Sequence, residues 1–563
     1  MLGAVTLISA VFFMAAYAVY GRLLARWLNL DPSRTTPACA LNDGVDYVPA
    51  KAPFLLGQHF SAIAAAGPIV GPILAGVWFG WLPALLWIVL GAVFFGAVHD
   101  FSALVSSVRH RARSIVELVH EHLGPRAHAL FMGFVWLSLV YVIIAFTDLT
   151  ASSFVEPSYG GGVAASSFLY LLAGAAMGVC LYRLRMGLGL ATAIFLPLVG
   201  LIVWYGQSIP LHIPGNWPVR PQLVWNGVIL IYCFIASVVP MWLLLQPRGY
   251  LGGFFLYATL AAGVIGLLLG GDRIQYPAFL GWTSQGGFPL FPLLFVTVAC
   301  GACSGFHGIV SSGTTSKQIA RETDCRLVGY GGMLLEGLVA VLALATVMLL
   351  APTDPAAHQS PDRIYANGIS HFVERLGVNR DFARSFALLA FATFLYDTLD
   401  VATRLGRYVF QELTGWKGRW GGMLATLATL ALPAVSVSWT VRDAAGDVVP
   451  AWKVFWTLFG TSNQLLAALT LVTVTVWLKR TKRPWAVSAI PAAFMLTMTL
   501  WSLVLTVRPW ISTLIGGRPA LDWSALIALV LLGLAILVLI EGARAFTRAA
   551  PNAAGLESTA RPA

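Results

Sequence analysis

The chain is short of charge. Only 10% of its 563 residues are Asp, Glu, Lys or Arg, whereas a soluble globular domain carries roughly a quarter, and this deficit excludes a water-soluble enzyme. A disordered chain needs still more charge and less apolar content, so that class is excluded too. Cysteine is scarce: six residues, scattered singly apart from Cys300 and Cys303, which is not the disulfide framework of a small secreted domain. Polar stretches long enough for a separate soluble domain are also missing. What remains is apolar. Hydrophobic residues make up 58% of the chain, with 55 Gly and 20 Trp, and the mean hydropathy is +0.79. Apolar runs near 20 residues long recur from end to end, and about 20 residues cross a ~30 Å hydrocarbon core as a helix. The expected fold is an all-α polytopic membrane protein surrounded by lipid bilayer.

Fifteen spans are expected, near 2–21, 59–79, 83–108, 127–152, 165–182, 187–206, 223–246, 250–270, 288–312, 327–350, 382–402, 421–440, 454–478, 485–507 and 523–546. The net charge of +11 suggests nucleic acid in a soluble protein, but in a membrane protein basic residues gather on cytoplasmic loops. With the N-terminus outside, the cytoplasmic segments collect most of the Lys and Arg, including Arg109, Arg111, Arg113, Arg248, Arg404 and the group Lys479, Arg480, Lys482, Arg483. The expected topology is therefore N-out, C-in, with no nucleic-acid partner. Arg22 and Arg26 follow the first run rather than lead it, so that run is expected to stay as a reversed anchor. The longest outside loop, 351–381, has room for a short surface helix.

Inside the hydrocarbon region ionisable and irregular segments are costly and mark function. His59 precedes two Gly-Pro pairs, Gly67-Pro68 and Gly71-Pro72; proline removes a helix donor, so this span is expected to break near its centre. Freed carbonyls there suit a cation and a half-helix N-terminus suits an anion, while a simple kink is the alternative. His99 and Asp100 are adjacent on a helix and should point apart; Asp100 suits a proton relay or a buried structural hydrogen bond. The stretch from Cys300 to Lys317 carries His307, Ser311, Ser312, Thr314 and Thr315, hydroxyls that suit a hard cation such as Na+ at Ser311 and Ser312 or a small carboxylate. Cys300 and Cys303 lack a second ligand pair, so no metal or redox cofactor is expected there. Glu336 lies alone in an apolar run and suits proton chemistry. Asp400 and Arg404, four residues apart, can pair along one helix face. Asn463 and Gln464 are a buried amide pair, either substrate contacts or interhelical glue.

Pro240 is read as breaking a second helix, at 223–246. Interrupted helices opening two inverted five-helix repeats are a transporter architecture, and the division expected is 1–58 (N-terminal helix and loop), 59–206 (first repeat), 223–402 (second repeat), 403–546 (additional helices) and 547–563 (disordered tail). In that scheme 288–312 is the third helix of the second repeat, the position from which the amino-acid/sodium symporters supply cation-binding hydroxyls.

Several segments together carry a resemblance: Leu41 to Pro49, His59-Phe60 with Gly67 to Pro72, Gly91 to Asp100, Pro240 to Arg248, Ser304 to Thr315, Leu399 to Arg404 and Gly460 to Leu466. Over about Leu30 to Arg480 the chain resembles the carbon starvation protein A (CstA) family of bacterial inner-membrane transporters. The resemblance implies nutrient uptake during starvation, peptides and pyruvate as substrate classes, coupling to an ion gradient (H+, with Na+ the alternative), and the amino acid–polyamine–organocation superfamily. Family members often carry a second His where this chain has Gln58, and a Pro where it has Ser316. The expected function is a secondary active importer of a small carboxylate-bearing nutrient, with His59, Gly67, Pro68, Gly71, His307, Asn463 and Gln464 at the substrate and Asp100, Ser311, Ser312, Thr314, Thr315, Glu336 and Asp400 in coupling. A haem redox protein using His59, His99 and His307, and a passive channel or sensor, are the rival classes.

Overall fold

The computed structural model describes residues 1–43, 47–64, 66–157, 159–215, 217–240, 242–284, 287, 289–439, 451–516 and 523–548; the tail expected to be disordered lies, beyond 548, outside them. Thirteen of the described helices are long and apolar enough to cross a bilayer, and a bent pair makes a fourteenth span. The chain opens with α1 (Leu2–Trp27), followed by the bent pair α2 (Ala52–Ile63) and α3 (Gly67–Phe79), α4 (Trp81–Arg109), the short α5 (Ile115–Leu123) and the long α6 (Pro125–Phe154). Then come α7 (Gly160–Tyr182), α8 (Leu188–Gly206), α9 (Pro221–Val238) and α10 (Leu245–Gly270). The second half runs α11 (Leu290–Thr297), α12 (Gly305–Val310), α13 (Arg326–Met348), the short α14 (Pro361–Glu374), α15 (Arg380–Thr414), α16 (Gly418–Ser438), α17 (Ala451–Arg480), α18 (Ala486–Ile515) and α19 (Trp523–Thr547).

Local signals explain the short helices. Ser114 accepts from the Glu117 N–H at 3.4 Å, one half of a Ser-x-x-Glu capping box that starts α5. In the long loop at 351–381, Pro361 occupies the first turn of α14, where its missing N–H is not needed. α14 buries Ile364, Tyr365, Ile369 and Phe372 against the bundle. Large apolar side chains such as Ile8, Trp204, Ile231, Leu269 and Ile490 stay more than half exposed, as a lipid-facing belt requires, because hydrocarbon does not drive them inward.

Two units of opposite direction share one plan. An interrupted helix (α2–α3; α11–α12) leads to a span (α4; α13), an amphipathic surface helix (α5; α14) and a long span (α6; α15), and two further spans complete each unit (α9 and α10; α16 and α17). The packing is reciprocal: α6 lies along α15 and α9 along α16, while α10 leans on α2, α14 and α15 as α17 leans on α12, α5 and α6. The pair α7–α8 is extra, and packs outside α10 and α15. This corrects the expected repeats 59–206 and 223–402. α9 is continuous over Pro221–Val238 and Pro240 sits in the turn after it, so the second interruption lies instead at 298–304, within the expected span 288–312. That span opens the second unit rather than standing third in it, which removes the analogy behind a sodium site at Ser311 and Ser312.

Candidate transport site

The two interrupted helices cross at their glycines. α2 and α3 meet at 50°, with Pro68 in the first turn of α3 and Pro72 inside it; the break therefore precedes the Gly-Pro pairs, and Pro68 starts a helix rather than ending one. A Cβ at Gly67 would overlap the Cys300 side chain, and one at Gly71 would overlap the Thr297 carbonyl oxygen. The partner at Gly71 is backbone and cannot swing away. Gly71→Ala is expected to cost about 1–3 kcal/mol of overpacking and to reduce uptake to background with protein still in the membrane fraction. Gly133→Ala, which has open space around it, is the control, and equal uptake by the two variants would refute the close-crossing role.

Four titratable side chains form a chain of contacts beside this crossing. Asp100 Oδ1 meets His99 Nδ1 at 2.7 Å and Asp100 Oδ2 meets His307 Nδ1 at 2.9 Å. His307 Nε2 lies 3.2 Å from Glu336 Oε2, at an angle too poor for a hydrogen bond, so both Glu336 oxygens have no hydrogen-bond partner. All four residues have 0% exposure. The expectation that His99 and Asp100 point apart is corrected: their Cα–Cβ bonds diverge, but the imidazole is long enough for Nδ1 to swing back to the carboxylate. With His307 protonated the cluster is neutral when one acid holds a proton and carries −1 when neither does, so a proton bound here changes the charge of a fully buried site. A π-helical turn adjoins each contributing segment: Ala92–Gly96 before His99, Ser311–Thr315 after His307 and Arg326–Gly331 before Glu336. Such turns are rare and concentrate at functional sites.

His59 links this cluster to a cavity of about 430 Å³. Its Nδ1 meets Thr315 Oγ1 at 2.9 Å and its Nε2 has no partner. Its ring edge lies against Gly332, where an added Cβ would sit 3.1 Å from Cδ2, one helical turn before Glu336. The cavity is lined by α2 (His59, Ser61), the 313–318 segment (Thr314, Thr315, Lys317) and α15 (Asp397, Arg404), and reaches the exposed rim at Val48 and Tyr408. The loop around Val48 is pinned there by backbone bonds, Val48 N–H to Lys317 O at 3.2 Å and Ala50 N–H to Gln318 O at 2.9 Å. Residues 44–46 of the Leu41–Pro49 motif lie outside the described residues.

The Asp400–Arg404 pair expected along one helix face does not form. Asp400 instead pairs with Arg248 at 2.8 Å and accepts from Tyr232 Oη at 2.8 Å. Arg248 also donates to Asp397 Oδ1 from Nε (2.8 Å) and Nη2 (2.5 Å), and to Tyr232; Ser61 Oγ donates to the other Asp397 oxygen at 3.0 Å. Arg404 gives Nη2 to the carbonyls of Ala236 (2.6 Å) and Val239 (2.8 Å), acceptors that α9 leaves open where it ends. Arg248 has 0% exposure, so it and Arg404 are bundle residues rather than cytoplasmic loop charges. Sequence reasoning assigned Arg248 only a place in a motif and missed Ser61 and Tyr232. The available signal was an Arg in the first turn of an apolar span.

The amide pair holds backbone. Asn463 Oδ1 accepts from the Phe306 N–H at 2.9 Å and its Nδ2 donates to Ser304 Oγ at 3.0 Å, capping α12 at the interruption, while Gln464 donates to the Phe295 carbonyl in α11. Neither lines the cavity. Ser312 Oγ donates to Gly308 O at 2.7 Å and accepts from the Ile115 N–H at 3.0 Å, so it ties α5 to α12; Ser311 Oγ is buried without a partner. A further buried acid escaped sequence reading: Asp148 in α6 accepts from Gln222, Asn226 and the Trp452 N–H at 2.8, 3.2 and 2.9 Å, an acceptor set that anchors the start of α17.

The family model for carbon starvation protein CstA matches residues 3–365 and 353–502. The chain belongs to the CstA family. It is 31% identical to the pyruvate/proton symporter BtsT of Escherichia coli K12, over 88% of this chain and 80% of that one. It is also 31% identical to the peptide transporter CstA of the same organism, over 87% and 79% of the two chains. The peptide transporter CstA of Bacillus subtilis 168 is 30% identical, over 95% and 96%. Among solved structures, a manganese transporter of Eremococcus coleocola aligns over 90% of this chain and 99% of its own, at 13% identity and a TM-score of 0.48. The protein is thus a multi-pass membrane transporter of the CstA family and not an enzyme, which disposes of the haem redox alternative.

Proposed function

We propose that this protein imports a small carboxylate-bearing nutrient, a peptide or pyruvate, across the inner membrane during carbon starvation, in symport with protons and by alternating access. The observation that carries the reading is the adjacency of the cavity to the buried Asp100–His307–Glu336 cluster through His59. A cavity of about 430 Å³ falls in the range of small-ligand sites, and its Lys317, Arg404 and His59 can face a carboxylate. Coupling to protons is supported by two acids that share one imidazole away from water, and by the proton symporter among the relatives. The rim at Val48 and Lys317 would be cytoplasmic, since the basic loops favour N-out, C-in, and the cavity is then inward-facing.

The test is uptake of labelled pyruvate and of a labelled dipeptide into proteoliposomes, under a proton gradient alone and a sodium gradient alone. Accumulation of either compound driven by protons is the expected result. Accumulation only with sodium, or equilibration without accumulation, would overturn the coupling.

A further inference from the structure

Four of the ten histidines fall between positions 110 and 128, from the end of α4 to the first turn of α6. Arg111 and Ala112 take left-handed φ values of 60° and 54° and fold the end of α4 back against α5. The fold-back brings His110, at the end of α4, against Glu121 and His122 in the last turn of α5. The two Nε2 atoms stand 3.1 Å apart, and His110 Nε2 lies 3.8 Å from Glu121 Oε1. One ligand atom from each of the three residues lies within 4.8 Å of the others.

The imidazoles are oriented as a ligand pair. His110 Nδ1 donates to the Ser106 carbonyl at 2.6 Å, which places its lone pair on Nε2; this is the carbonyl bond that metal-ligating histidines use to fix their tautomer. His122 is 2% exposed and its Nδ1 has no partner. A hydrogen bond between the rings leaves His122 Nδ1 as a buried bare acceptor. The other tautomer turns two lone pairs against each other across 3.1 Å. A cation between the Nε2 atoms resolves the second arrangement, and two Zn–N bonds of ~2.0–2.1 Å in a tetrahedral site span an N···N edge of about 3.3 Å. We infer that His110, Glu121 and His122 form a binding site for a divalent transition metal of the Zn2+ class at the turn between α4 and α5. Glu121, with a side chain 31% exposed, supplies the anionic oxygen and leaves a fourth position to water. Arg113, 3.9 Å from the other Glu121 oxygen, is the competing partner for the carboxylate.

The site would brace the cavity mouth, because Ser114 of the same turn lines the cavity and the Ile115 N–H is held by Ser312. Binding itself is the test and does not depend on the transported substrate. Zn2+ alone is titrated calorimetrically into chelator-treated full-length protein in detergent, and Co2+ is followed by its visible absorption. One saturable equivalent is expected, with affinity lowered by about tenfold or more in both His122→Ala and Glu121→Gln, and unchanged in His120→Ala. Glu121→Gln lies at the surface and keeps the test valid if His122→Ala fails to fold. No saturable binding by the wild-type protein, or equal binding by Glu121→Gln, overturns the proposal.

Discussion

Reconstituted Glu336→Gln protein is expected to exchange internal for external substrate at close to the wild-type rate and to accumulate none against a gradient. The substitution keeps shape and volume but removes the proton-binding oxygen. Glu336 is the acid of the cluster with both oxygens free of hydrogen bonds, whereas Asp100 is held by His99 and His307. If one proton travels with each substrate, a gradient of one pH unit sustains about tenfold accumulation, since each unit is worth about 1.4 kcal/mol; the variant should settle at the external concentration. Counterflow needs no net proton movement, so its survival separates lost coupling from lost folding. Wild-type accumulation by Glu336→Gln would remove this residue from the proton path, and the same result with Asp100→Asn would remove the cluster.

The second large effect falls on stability. Arg248→Met should lower the thermal unfolding midpoint sharply, because it strands Asp397 and Asp400 in a site where the guanidinium was the common partner. Breaking a buried ion pair from one side costs about 3–5 kcal/mol, and here two acids are stranded together. Removing all three charges, as Arg248→Met with Asp397→Asn and Asp400→Asn, should recover most of the loss, since it is the uncompensated charge and not the missing attraction that is costly. Thermal unfolding in detergent checks both. An Arg248→Met protein as stable as wild type would mean that water reaches the triad from the cavity that Asp397 lines.

The spans were legible because hydrocarbon demands about 20 apolar residues wherever a helix crosses, and each expected span has a helix or an interrupted helix. The first interruption was legible in Gly67-Pro68, since proline marks a helix start as plainly as a stop. The second was not: Val298 to Ser304 contains no proline and reads as apolar, so Pro240 drew the assignment instead. At the site, sequence found Asp100, His307 and Glu336 because an acid or imidazole in an apolar run stands out. It could not find their partners. Asp400 lay four residues from one arginine, yet pairs with another from a distant helix, and local spacing carries no information about such a choice. His110 and His122 went unnoticed because they lie just outside the spans, where polar residues are ordinary.

The α7–α8 pair has a consequence in counting. It sits within the first unit, between the long α6 and the two spans α9 and α10 that pair with α16 and α17. Two crossings return the chain to the side it left, so every later helix keeps its direction. A single added helix at that point would turn α11–α12 and all that follow upside down, and the reciprocal fit of the two units would be lost. Insertions into this architecture are therefore restricted to even numbers of crossings. The same parity makes excision of the whole pair, from 160 to 206, the shortening that preserves the direction of both units.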